Sequence, residues 1–71
     1  MNDASLVRMA NQIAANAPPR PPVDAAAAIA THLRTFWAPP MRADLDRIAA
    51  ADPGALDPLV HAALEQLHAN A

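Results

Sequence analysis

The stretch at residues 24–42, DAAAAIATHLRTFWAPPMR, decides how this chain of 71 residues folds. Its run of alanines, followed by Ile29 and Leu33 at a spacing of four, favours a helix with one apolar face. That helix has to end before Pro39 and Pro40, because proline lacks an amide donor and drives the preceding residue out of the helical region. Proline also suits the first position of a helix, so the same corner predicts a new helix directly after it.

Further prolines divide the rest of the chain in the same way. Apolar residues recur every three or four positions between them, and no segment shows the alternation typical of a strand. We therefore predict an all-α fold, a small bundle of about four short helices with proline-marked turns in a single domain. The predicted helices span residues 4–15, 23–37, 40–51 and 58–69, and residues 16–22 form a proline-rich, extended linker.

The apolar stripes of these helices predict the core. They consist of Leu6, Met9, Ala10, Ile13 and Ala17; Ala26, Ile29, Leu33, Phe36 and Trp37; Met41, Leu45, Ile48 and Ala49; and Val60, Ala63, Leu64 and Leu67. Asp3 or Ser5 is the expected N-cap of the first helix, and Asp57 before Pro58 that of the last.

The core predicted in this way is thin. Alanine supplies 20 of the 71 residues, whereas the larger apolar residues together supply 18. Alanine favours helices but buries little area. A core of this size rarely supplies more than roughly 3–5 kcal/mol, and the chain has no cysteine for a disulfide. Association with a partner would therefore stabilise it.

Charge and hydropathy exclude two classes of partner. The net charge is −2 and the five arginines are scattered along the chain, so we expect no binding to nucleic acid. No apolar run is long enough to span a bilayer, so we expect no membrane segment. Together with the absence of cysteine, this favours the cytoplasm.

The residue types needed for chemistry are sparse. His61, Glu65 and His68 share one flank of the last predicted helix, but a zinc site needs further converging ligands, so a solvated face explains them better. Gly54 is the only glycine, which excludes a glycine-rich phosphate loop. We predict no catalytic, cofactor-binding or metal-binding residue in this chain.

The corner between the second and third helices is the first candidate interface. Phe36, Trp37 and Met41 gather there, with Arg34 and Arg42 on either side. Tryptophan, methionine and arginine are enriched where proteins meet. An alternative is that the tryptophan ring fills the core of the bundle, and the ring can serve both purposes with its two faces.

The outward face of the first helix is the second candidate interface. Arg8 and Gln12 lie one turn apart there, with Asn11 beside them. Simple solvation of these polar groups is the alternative.

Three ordered blocks carry a family resemblance: LVRMANQIA at residues 6–14, HLRTFWAPPMR at 32–42 and LDPLV at 56–60. In them the chain resembles the delta subunit of NAD-dependent, molybdenum-containing formate dehydrogenases. The resemblance covers nearly the whole chain. It departs from the family pattern at Ala38 and Pro40, where an Asp and an Arg are expected.

The resemblance implies a bacterial, cytoplasmic complex. In it a large catalytic alpha subunit oxidises formate at a molybdenum pterin centre, iron–sulfur clusters carry the electrons, and a flavin subunit containing FMN reduces NAD. The implied role of the delta subunit, which carries none of these cofactors, is to stabilise or help assemble the catalytic subunit, including insertion of the molybdenum cofactor. The alternative from the residues alone is an independent small helical adaptor or regulatory protein.

Overall fold

Residues 2–17 and 19–69 are described by the computed structural model, and they form four α-helices and one 3-10 turn without any strand. This confirms the predicted all-α fold. The elements are α1 (Asp3–Ala15), α2 (Pro22–Phe36), α3 (Pro39–Ala51), the 3-10 turn Pro53–Ala55, and α4 (Pro58–Ala69). Each helix boundary lies within one residue of its predicted position. Pro18 of the predicted linker lies outside the described residues.

The helix starts follow from capping and from proline, and α1, α2 and α3 each begin one residue before the predicted position. Asn2, rather than Asp3 or Ser5, caps α1, because its side-chain Oδ1 accepts the Ser5 amide at 2.8 Å. Pro39 opens α3 one residue early: its missing amide costs nothing at the first helical position, where no intrahelical acceptor exists. Asp57 precedes α4, and its Oδ1 accepts the Leu59 amide at 2.8 Å.

Large aliphatic side chains and small alanines share the core. α2 packs mainly against α4, α1 meets α3 and α4, and the contact between α1 and α2 is sparse. Close approach of the helices is possible because alanines such as Ala26 and Ala63 are completely buried. The largest side chains that are fully buried are Leu6, Leu33, Leu45 and Val60.

Phe36 does not belong to the core, which corrects the predicted stripe of α2. Its side chain is 71% exposed, whereas Trp37 is 5% exposed and lies within the core. Trp37 is the C-cap of α2 and has an extended backbone, with φ −98° and ψ 130°. Consecutive side chains at a helix end diverge, so only one of two adjacent aromatic rings turns inward.

An ion pair connects the start of α1 to α3. Arg47 Nη2 lies 2.8 Å from Asp3 Oδ1, and Arg47 Nη1 donates to Asp3 Oδ2 at 3.2 Å. The hydrogen bond from Arg47 lowers the pKa of the Asp3 carboxyl, and the carboxylate in turn raises the pKa of Arg47. Both side chains are more than half exposed, so the pair holds the helices together only weakly.

Candidate docking surface

An open groove of about 540 Å³ lies between α1 and α2, which make few contacts with each other. Met9 and Ile13 line it from α1, and Ala28 and Ile29 line it from α2. The ring of Trp37 lines the groove as well, although it is nearly buried. The ring thus contributes both to the core and to the groove, and it gives the groove an apolar base.

The groove has few polar groups. Gln12 and Asn16 stand on the α1 side and His32 on the α2 side, and none of the lining residues within the described ranges carries an acidic or arginine side chain. Asn16 is held by its own helix end, since its Nδ2 donates to the carbonyl oxygen of Gln12 at 2.9 Å. An apolar groove with a few polar groups at its edge has the character of a binding site.

Phe36 extends this apolar surface beyond the groove. Its ring centroid lies 4.8 Å from that of His32, with the two ring planes tilted by 46°. Because His32 lines the groove, the exposed face of Phe36 continues the same surface toward the corner between α2 and α3. We call the groove together with Phe36 the α1–α2 surface.

The other residues of the predicted corner do not join this surface. Met41 is half-buried against the core. Arg42 is also half-buried, and its Nε is enclosed with no hydrogen-bond partner among the described residues. Arg34 is exposed but lies about 200° around α2 from His32, so its side chain leaves the helix on the side away from the groove.

The residues of the second candidate interface, on the outward face of α1, also differ in their surroundings. Gln12 lines the groove, and the exposed Arg8 stands one turn before it on α1. Asn11 instead bridges α1 to the turn before α4: its Nδ2 donates to Ala55 O at 2.9 Å, and its Oδ1 accepts the Asp57 amide at 2.8 Å. The amide of Asn11 is therefore occupied inside the chain.

The histidines of α4 make separate contacts. His61 Nε2 lies 2.7 Å from the carbonyl oxygen of Pro53, and His68 Nε2 lies 3.0 Å from Asp46 Oδ1. Within residues 2–17 and 19–69, no three side chains of His, Cys, Asp or Glu converge as a metal site would require. The same residues contain no helix long and apolar enough to cross a bilayer.

Comparison with known proteins identifies the family. The family model described as NADH-dependent formate dehydrogenase delta subunit FdsD matches residues 5–64. The chain belongs to this delta-subunit family. The match includes both walls of the groove, the Phe36-Trp37 pair and the turn before α4, and it confirms the resemblance seen in the sequence. Neither a curated protein nor a solved structure matches the chain.

The groove between α1 and α2 was not predicted from the sequence of this delta-subunit family member. Met9, Ile13 and Ile29 fall on the predicted apolar stripes; the structure places Ile29 in the core and packs Met9 and Ile13 against it, and all three also line the groove. Periodicity identifies the apolar side of a helix but not whether another helix covers it. That depends on how closely α1 and α2 approach, which no local signal records.

Proposed function

We propose that this chain is a non-catalytic accessory subunit of an NAD-dependent formate dehydrogenase and that it binds the large catalytic alpha subunit through the α1–α2 surface. The family match over residues 5–64 carries the proposal, because the family is by description a subunit of that enzyme. Formate oxidation and NAD reduction would then occur on other subunits, which hold the molybdenum pterin, the iron–sulfur clusters and FMN.

The physical properties of the α1–α2 surface support a docking role. Met9 and Ile13 are half-buried and line the groove together with the nearly buried Ile29, and no acidic or arginine side chain lines it. Phe36 adds an aromatic side chain that is 71% exposed. Aromatic residues and methionine are enriched at the centres of interfaces, where charged residues are depleted. Covering this surface would remove it from water at little cost in desolvated charge.

The proposed role is to stabilise or help assemble the alpha subunit in the cytoplasm, and insertion of the molybdenum cofactor is the step at which such help would act. A partner that binds only the folded form of a protein stabilises that form by mass action. The benefit is mutual, because a chain with such a thin core also gains stability from docking.

Co-purification tests the subunit assignment. Tagged alpha subunit from the same organism should retain this chain through a column, and co-expression should raise the folded yield of both. If the alpha subunit is repeatedly recovered active without the chain, and the isolated chain melts cooperatively as a monomer, an independent adaptor explains the protein better.

A matched pair of substitutions tests the surface. Phe36→Ala should weaken association with the alpha subunit by at least about tenfold, as expected for an aromatic anchor. Val23→Ala is the control, because Val23 is 67% exposed on the same helix but lies 13 residues away, about 20 Å. Equal affinities for the two variants, with helicity retained, would remove Phe36 from the interface.

Metal analysis distinguishes stabilisation of the alpha subunit from assistance with insertion of its molybdenum cofactor. The molybdenum content of each purified alpha subunit should fall in the absence of this chain if the chain assists cofactor insertion. If the molybdenum content is constant and only the yield falls, the role is stabilisation.

A further inference from the structure

We propose that the occupant of the α1–α2 groove is an amphipathic helix of the alpha subunit, which lays an apolar stripe into the groove and carries carboxylates along the flank that faces Arg8. This inference rests on the proposed function and adds the chemistry of the partner segment. Its first support is the shape of the site: two helices of 13 and 15 residues border an open, largely apolar groove. Grooves of this kind recognise the apolar face of a helix.

The charges of the chain are distributed unevenly around this groove. From Asn2 to Trp37 the described residues contain three arginines and two aspartates, whereas from Ala38 to Ala69 they contain two arginines and five acidic residues. The first half is therefore net positive although the whole chain has a net charge of −2. Of its three arginines, Arg34 lies on the side away from the groove and Arg20 lies beside Asp24, so the positive charge that a partner in the groove meets is that of Arg8, which favours an acidic segment.

Arg8 gives this charge a specific position. It is exposed on α1, one turn before Gln12, which lines the groove. Within residues 2–17 and 19–69 its guanidinium forms no ion pair, unlike that of Arg47. On the opposite side of the groove, beyond Ala28, Arg20 and Asp24 line a second depression together and balance each other. The net attraction for a carboxylate therefore lies on the α1 side.

Two other occupants fit less well. An extended strand needs an exposed sheet edge, and the described residues contain no strand. A second copy docked by the same surface would present Arg8 rather than an acidic segment. A helix supplied by a different subunit meets neither difficulty.

Photo-crosslinking in the assembled enzyme tests the occupant. A photoreactive residue, Gln12→p-benzoylphenylalanine, should crosslink to one helical segment of the alpha subunit that has an apolar stripe and flanking Asp or Glu. The same residue at exposed Ala50 on α3 is the control and should not reach that segment. Crosslinking from position 12 to a second copy of this chain or to a segment without acidic residues, or no crosslinking in an intact complex, overturns the proposal.

Charge reversal at Arg8 tests whether carboxylates of the partner helix lie along the α1 side of the groove. Arg8→Glu should weaken binding to the alpha subunit by about tenfold at low ionic strength, and the difference should shrink as salt is added. Arg34→Glu makes the same charge change on the side of α2 away from the groove and should leave binding within about twofold of the parent. An equal loss in both variants, or none in Arg8→Glu, overturns the acidic flank. If the parent chain itself does not bind the alpha subunit, the proposed function fails instead.

Discussion

The two sides of α2 differ in how they are covered. Toward α4, α2 packs closely. Ala26 on α2 and Ala63 on α4 are completely buried. Toward α1, α2 makes few contacts, and Ile29 and Trp37 line an open groove. The same helix therefore packs closely against α4 on one side and borders an open groove on the other, where Ala28 is partly exposed and Ile29 and Trp37 are nearly buried. The groove side is where a partner can add stability.

Side-chain size accounts for part of this difference. Small residues let two helix axes approach, whereas bulky residues hold them apart. Met9 and Ile13 on α1 face Ile29 and the indole of Trp37, so that boundary is lined with large side chains. Substitutions that alter the packed core or the open groove, one at a time, test this comparison.

The largest effect is expected for Trp37→Ala. Removing a buried tryptophan costs about 3–5 kcal/mol, which equals the whole stability that a core of this size usually supplies. We expect loss of the helical circular-dichroism signal at room temperature. Phe36→Ala is the adjacent control and should stay within about 0.5 kcal/mol of the parent, because Phe36 is exposed. A Trp37→Ala variant that melts like the parent would show that the ring is not part of the core.

Two alanine-to-leucine changes should differ in their cost to stability, one in the packed core and one in the groove. Ala63→Leu inserts three carbons where the side chain is 0% exposed, and overpacking of this kind costs about 1–3 kcal/mol. Ala28→Leu extends into the groove and should change stability by less than about 0.5 kcal/mol.

Binding separates the same two variants further. Ala28→Leu should weaken association with the alpha subunit while its melting curve stays near that of the parent, because the leucine occupies the groove. Urea titration and a pull-down on the same samples measure both quantities. The contrast between the packed core and the open groove is contradicted if Ala28→Leu is less stable than Ala63→Leu.

Much of this architecture was predictable from the sequence, because local rules determine it. Proline ends and begins helices for reasons confined to a few residues, so the turns at Pro39 and Pro58 and the all-α fold follow from the sequence. The N-cap was wrong by one residue, since Asn2, Asp3 and Ser5 are all good capping residues and only geometry selects among them.

The candidate surface was predictable only in part, because it depends on the distance between helices. The Phe36-Trp37 pair stays a predicted interface, and the sequence could not assign one ring to the core and the other to solvent. Asn11 was predicted as a candidate interface residue, with simple solvation as the alternative, yet its amide bridges α1 to the turn before α4. Contacts across 44 and 46 residues of chain leave no trace in helical periodicity.

Asn11→Asp should have an intermediate effect on stability. The carboxylate can still accept the Asp57 amide, but it cannot donate to Ala55 O, and it brings a negative charge toward Asp57. Because the site is half-buried, we expect a loss of about 1 kcal/mol, measured by urea unfolding. Gln12→Glu makes the same chemical change at the next, exposed position and should cost less than about 0.5 kcal/mol. Equal stability of the two variants would mean that the Asn11 bridge contributes nothing.

The smallest effect is expected at the exposed ion pair between α1 and α3. Because Arg47 lowers the pKa of Asp3 below 3.8, the folded chain holds this proton less tightly than the unfolded chain does. The pair therefore stabilises the fold above the ordinary carboxyl pKa, and that contribution is lost as the pH falls through the lowered value. Asp3→Asn should reduce the melting temperature slightly at neutral pH and low salt, and added salt should reduce the difference. Well below pH 3.8 the variant and the parent should melt together.

Asp44→Asn is the control, because Asp44 Oδ1 lies 3.7 Å from Arg47 Nη2 and within the same helix, so it does not join α1 to α3. A difference between Asp3→Asn and the parent that persists in acid would assign the stabilisation to something other than the charge of Asp3.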